Sequence, residues 1–189
     1  MDTIKILGIS GSLRHGSYNT ALLKAAQESL PPGVTLDIFD LNGLPVFSED
    51  LEANVPPQVN DLKKRIRAAD AILFATPEYN YSIPGSLKNA IDWASRPYGD
   101  SAWMGKPAAI MGASVGRFGT ARAQYHLRQV FVYLDMHVVN QPEVMVGNAS
   151  ESFDQSGRLT HDTSRKLIRQ LVEALCDRVR LLRQGVKAS

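Results

Sequence analysis

The stretch Ile4-Lys5-Ile6-Leu7-Gly8-Ile9-Ser10-Gly11-Ser12-Leu13-Arg14-His15-Gly16-Ser17-Tyr18-Asn19-Thr20 decides how the chain folds. Ile4 to Ser10 is a short apolar run of strand length, too continuous to leave one face in water. A Gly/Ser turn follows. Beyond it, Ala21, Leu22, Ala25 and Ala26 recur at helical spacing, which predicts a helix from about Asn19 to Leu30. Strand, small-residue turn and helix in this order open a βαβ unit.

The same alternation continues outward. Pro31-Pro32-Gly33 ends the helix and Val34 to Phe39 reads as a strand. A helix is expected from Val59 to Ala69, a strand from Ala71 to Thr76, and a helix from Pro84 to Ser95. A fourth strand is predicted at Ala108 to Ala113 and a fourth helix at Thr120 to Leu134. A fifth strand near His137-Val138-Val139 resumes at Val144-Met145-Val146, and a last helix runs from Asp162 to Arg183. Strands apolar on both faces and linked by helices require a parallel sheet between helix layers. The expected fold is therefore α/β, a flavodoxin-like doubly wound five-stranded sheet in a three-layer α/β/α sandwich. Asp40 to Pro57 is read as an irregular connection within that domain.

The 189 residues suit one domain, with 44% apolar and 21% charged residues. The single Cys176 excludes an internal disulfide and fits a reducing compartment. Net charge is +2, too small to argue for nucleic acid. From Arg158 onward eight basic residues face three acidic ones, and that excess reads as the solvated side of an amphipathic helix. Neither a signal sequence nor an apolar run near the ~18 residues of a membrane span is visible, so a cytoplasmic protein with no membrane partner is expected. No histidine or cysteine spacing suggests a metal.

In a doubly wound sheet, ligands sit beyond the carboxyl ends of the strands, where three unusual loops fall. The first offers the hydroxyls of Ser10, Ser12, Ser17 and Thr20, the Asn19 amide, Arg14 and the N–H groups of a helix start. That set suits a terminal phosphate. Gly11 and Gly16 have Walker spacing, but Ser17-Tyr18 replace the Lys-Ser/Thr that a triphosphate needs. The second loop, Thr76 to Gly85, is stiffened by Pro77 and Pro84, leaves backbone N–H groups free to face a ligand, and places Tyr79 and Tyr81 to wall a flat ring with Asn80 at its edge. The third, Gly112 to Gly119, has glycines for close approach to that ring. It also matches the nucleophile pattern Gly-x-Ser-x-Gly at Ser114, which raises a Ser hydrolase as a rival. Of the histidines, His126 is expected to point away from this loop, and only His161 is placed to return to Ser114, without a matched acid.

Gly11 to Asn19, Pro77 to Gly85 and Leu87-Lys88-Asn89-Ala90-Ile91-Asp92-Trp93 together resemble the NADPH-dependent FMN reductases, and among them bacterial quinone and chromate reductases. The resemblance implies non-covalent FMN, with NADPH or NADH as co-substrate and a small-molecule electron acceptor such as a quinone, free flavin, azo compound or chromate. By the same resemblance Ser12, Leu13, Arg14, Ser17 and Asn19 would hold the phosphate. Pro77, Glu78, Tyr79 and Asn80 would line the isoalloxazine, and Ser114 and Gly116 would close its other edge. No side chain is assigned as catalytic acid or base, because the cofactor carries the chemistry. Relatives of this type often read Ser-Pro-Gly where this chain has Ser114-Val115-Gly116. A flavodoxin-type carrier is the alternative within the flavoprotein class, but carriers of that kind are strongly acidic. The run Val130-Phe131-Val132-Tyr133-Leu134, with Ile91 and Trp93 on different faces of the preceding helix, predicts a homodimer, or a dimer of dimers, across these helices.

Overall fold

The computed structural model describes residues 3–187, so Met1, Asp2, Ala188 and Ser189 of the predicted single domain lie outside the described residues. Five parallel positions form the sheet: β1 (Ile4–Ser10), β2 (Val34–Phe39), β3 (Ala71–Ala75), β4 (Pro107–Ala113) and β5 (His137–Val138), in the order β2-β1-β3-β4-β5. The fifth position is split, as the sequence indicates. β5 pairs with the start of β4, and β6 (Val144–Val146) pairs with its end. The side chains of β1, β3 and β4 alternate between two cores. Ile4, Ile6, Leu73 and Met111 pack beneath α1 (Tyr18–Gln27) and α6 (Asp162–Lys187). Leu7, Ile9, Ile72, Phe74 and Ile110 face α2 (Pro57–Ala68), α3 (Gly85–Ser95) and α4 (Ala121–Tyr133). A strand buried on both faces needs apolar residues at every position, which is why the runs read as continuous.

Helix limits shift for local reasons. α1 starts at Tyr18 because the Ser17 hydroxyl caps it, accepting from the N–H groups of Asn19 and Thr20. It closes three residues before Leu30. The second helix begins at Pro57, whose ring presets the first turn, and Pro84 stands just outside α3 as its N-cap. α6 extends past Arg183 to Lys187, and a short α5 (Ala149–Ser152) follows β6. Cys176 is buried on the inner face of α6, where desolvation raises its thiol pKa.

The connection from Asp40 to Pro57 is more ordered than expected. It carries a 3-10 turn over Glu49–Asn54 and is fastened to α3 and its C-cap by the side chains of Asn89, Trp93 and Arg96. The Asn89 amide donates to Pro45 O (2.9 Å) and accepts from Phe47 N (2.8 Å), and Trp93 Nε1 donates to Pro45 O (2.8 Å). Phe47 meets the Trp93 ring edge-on at 5.0 Å, and Arg96 pairs with Glu52 at 2.6 Å. This corrects one part of the dimer reading. Trp93 and Ile91 are both buried within the chain, so α3 gives them no face to offer a partner. Further along, the buried Lys63 and the exposed Arg67 both hold Asp100, whose carboxyl they keep below the usual carboxylate range. On α4, Phe131 and Leu134 are buried while Val132 and Tyr133 remain 81% and 77% exposed. Among the described residues no helix is long and apolar enough to cross a membrane.

Gly112 sits in β4 where the sheet meets α4. A Cβ there would collide with the Thr120 hydroxyl and the Thr76 carbonyl oxygen. Because one obstacle is backbone, Gly112→Ala is expected to destabilise the protein by about 3 kcal/mol through overpacking, read as a lower urea midpoint with unchanged slope.

Candidate active site

The carboxyl ends of β1, β3 and β4 carry the three loops, and the structure joins them. Gly11 N donates to Ala75 O at the end of β3 (2.9 Å), and Ser86 Oγ donates to Gly11 O (2.8 Å). A Cβ on Gly11 would lie 2.9 Å from Pro84 and 3.1 Å from Pro77, so the first loop is pressed against both prolines of the second. The first and third loops are linked by Asn19. Its side-chain amide donates to Ala113 O (3.0 Å) and accepts from Ala113 N (2.9 Å), fully buried between α1 and β4.

Within the first loop the hydroxyls divide into two groups. Ser17 Oγ caps α1, and Thr20 Oγ1 donates to Ser10 Oγ at 2.9 Å. Ser10 and Ser12 then accept from Ser12 N and Arg14 N at 3.4 Å, which curls the chain into successive small turns. Among the described residues, the N–H groups of Leu13, His15, Gly16 and Tyr18 find no acceptor. Arg14 is exposed, lies 5.3 Å from the Tyr18 ring centroid, and forms no ion pair among the described residues. A cleft of about 500 Å³ opens beside the turn, between His15–Tyr18 and Ser156–Leu159. Four free N–H donors, an unpaired guanidinium and a helix start fit a phosphate monoester. The Asn19 side chain is bonded to the end of β4, so it also shapes the turn from behind.

The second loop is a miniature hairpin. Tyr79 and Ser82 exchange both backbone hydrogen bonds (3.1 and 3.0 Å) around Asn80 and Tyr81, which have φ of 50° and 67°. Among the described residues, the N–H groups of Glu78, Asn80, Tyr81 and Ile83 between the two prolines find no acceptor. One side-chain assignment changes here. The Glu78 carboxylate, 5% exposed, accepts from Arg122 N (3.0 Å) and Ala123 N (3.2 Å) and pairs with the Arg122 guanidinium, so only its backbone remains for a ligand. The Tyr81 ring, which remains exposed, carries the Arg122 guanidinium 3.7 Å from its centroid.

The third loop lacks a proline, yet hydrogen bonds hold it. Ser114 N and O bond Val146 O and Ala149 N, and Gly116 O accepts from Gly119 N and Asn148 N. The Ser114 hydroxyl accepts from Gly116 N at 3.1 Å. No histidine reaches it. His161 is bonded to Ser164 (2.8 Å), and His126 points away from this loop, as expected, toward the second loop, where it is bonded to Ser82 at 3.0 Å. The hydrolase reading therefore has no base. Arg122 escaped the sequence reading because its ion-pair partner Glu78 lies 44 residues upstream and no local pattern joins the two.

Fold and loops together define an α/β protein of the doubly wound class with three joined loops at the carboxyl edge of its sheet. The chain belongs to the NADPH-dependent FMN reductase family, whose sequence model matches residues 4–151. It is 58% identical over 183 residues to the NAD(P)H-dependent FMN reductase of Pseudomonas aeruginosa, covering 96% of this chain and 98% of that protein. It is 44% identical over 170 residues to a 2-hydroxy-1,4-benzoquinone reductase from a Burkholderia species, covering 90% and 93%. Among solved structures, FerB, the flavoenzyme NAD(P)H:acceptor oxidoreductase of Paracoccus denitrificans, superposes with a TM-score of 0.86 at 36% identity, covering 94% of this chain and 98% of that one.

Because Asn19 satisfies both backbone groups of Ala113, Asn19→Ala strands a buried donor and acceptor. A loss of about 2–4 kcal/mol in unfolding free energy is expected, measured by urea denaturation, with weaker retention of any flavin.

Proposed function

We propose that the protein is an FMN-dependent NAD(P)H oxidoreductase that passes two electrons to a small-molecule acceptor such as a quinone, a free flavin, an azo compound or chromate. The observation that carries this reading is the phosphate turn, with its free N–H groups at Leu13, His15, Gly16 and Tyr18 beside the unpaired Arg14. FMN, when bound, would supply the redox chemistry that links NAD(P)H oxidation to two-electron reduction of the acceptor. The protein holds and orients. Ser12, Leu13, Arg14 and Ser17 grip the phosphate, with Asn19 fixing the turn from behind. Pro77, Glu78, Tyr79 and Asn80 line the ring, with the unbonded N–H groups of Glu78 and Asn80 as its donors. Ser114 and Gly116 close the opposite edge.

A flat co-substrate and acceptor would need an accessible approach to the loops. Tyr79, Tyr81, Val115 and Phe118 are all exposed at this rim and give flat substrates an apolar approach. Arg117 is exposed on the same loop and suits the anionic phosphates of NADPH. A carrier without its own substrates is disfavoured by the net charge of +2, since docking of acidic carriers relies on a strong negative field. The exposed Val132 and Tyr133 of α4 support a homodimer, or a dimer of dimers, now resting on α4 alone. The family, the single buried cysteine and the lack of a membrane-spanning helix among the described residues support a cytoplasmic setting.

The purified protein is expected to take up FMN stoichiometrically and to oxidise NADPH only when a quinone is supplied. Arg14→Ala should weaken FMN binding about tenfold, the worth of one charge-assisted contact of roughly 1.4 kcal/mol, by fluorescence titration. No FMN uptake by the unaltered protein would end this reading. Light scattering at 21 kDa would end the dimer.

A further inference from the structure

Arg122 has a place in the fold that the phosphate turn and the ring-facing amides do not explain. The two oxygens of Glu78 divide their work. Oε2 accepts from the N–H groups of Arg122 and Ala123, and so closes the start of α4, where Thr120 provides no side-chain cap. Oε1 takes the Arg122 guanidinium. The helix start is thus satisfied by Glu78 without the Arg122 side chain, which is left with a different task. Its guanidinium lies 3.7 Å from the Tyr81 ring centroid and 5.7 Å from that of Phe118, so one cation touches both the second and the third loop.

Tyr81 is an unusual residue to need such a partner. With φ of 67° it occupies the left-handed region that bulky side chains rarely adopt, and its residue is 67% exposed, so core packing does not hold it there. The guanidinium face supplies what burial does not, an attraction for the aromatic ring that lysine's compact ammonium reproduces poorly. One turn along α4, His126 holds Ser82 on the far side of the same hairpin. The hairpin is therefore moored to α4 at both ends, with Tyr81 pinned at its tip.

We propose that Arg122 is a positioning residue for the reaction: by joining the Glu78 carboxylate to the Tyr81 ring it fixes the left-handed Asn80–Tyr81 turn at the rim of the site and sets how the electron acceptor reaches the cofactor. This rests on the flavin reading above. The acceptor class it favours is a flat conjugated ring such as a quinone, which slides past a fixed Tyr81 ring.

Two variants test it in the flavin-loaded enzyme. Tyr81→Ala removes an exposed side chain and carries little risk to folding, while Arg122→Lys keeps a cation for Glu78. Each is expected to raise KM for a small quinone about three- to fivefold, the size of a partly exposed cation–π contact, with FMN content and kcat unchanged. Tyr81→Phe should restore the unaltered KM, and the double variant should be no worse than either single one. A second readout needs no cofactor. In flavin-free protein, Arg122→Lys should speed amide exchange at Tyr79 and Ser82 about three- to fivefold, and Tyr81→Phe should not. Unchanged KM in both variants, effects that multiply in the double variant, or unchanged exchange would each overturn the proposal. Failure of the unaltered protein to bind FMN would remove the flavin reading, and the exchange experiment would still decide whether Arg122 holds the turn.

Discussion

The buried contact between Asn19 and Ala113 ties the whole ligand-facing end of the molecule together. A primary amide has one donor face and one acceptor face, and here each finds the matching backbone group of a single residue at the end of β4. α1 is thereby locked to the strand that launches the third loop, and the turn before α1 inherits that position. Gly11 then carries the constraint to the second loop, because it lies so close to Pro77 and Pro84 that no side chain fits between them. The three loops form one rigid rim whose free N–H groups are fixed before any ligand arrives, and such pre-organisation lowers the entropic cost of binding.

That arrangement divides the labour between side chains and backbone. Most hydroxyls and carboxylates at the site are occupied in shaping the loops: Ser17 caps a helix, Ser10 and Thr20 hold each other, Glu78 closes α4 and Ser114 turns its own loop. What remains for a ligand is mainly main-chain N–H groups and one guanidinium. A site of this kind is suited to hold an anionic, planar cofactor and leaves bond making to it.

Much of this was legible along the chain. The strand and helix alternation follows from hydrophobic period, and the parallel sheet from strands with no polar face, as Ala71 to Ala75 and Pro107 to Ala113 illustrate. The loops stood out because Gly, Ser and Pro gather where the period breaks. Less was legible about what each loop side chain does. Asn19 and Glu78 belong to stretches that resemble ligand-binding motifs, yet their polar groups turn inward to Ala113 and Arg122. The supposed outward face of Trp93 is covered by Pro45 and Phe47, because a connection that looked irregular folds back on α3.

The sequence by itself determined the layers of the fold, the strands that end beside the site and the residue types gathered in each loop, since these depend on local period and turn chemistry. Only the tertiary structure decided which polar atoms stay free for a ligand. A hydrogen bond between residues 44 or 94 positions apart leaves no local periodic trace, and each one removes a donor or acceptor that composition had counted as available.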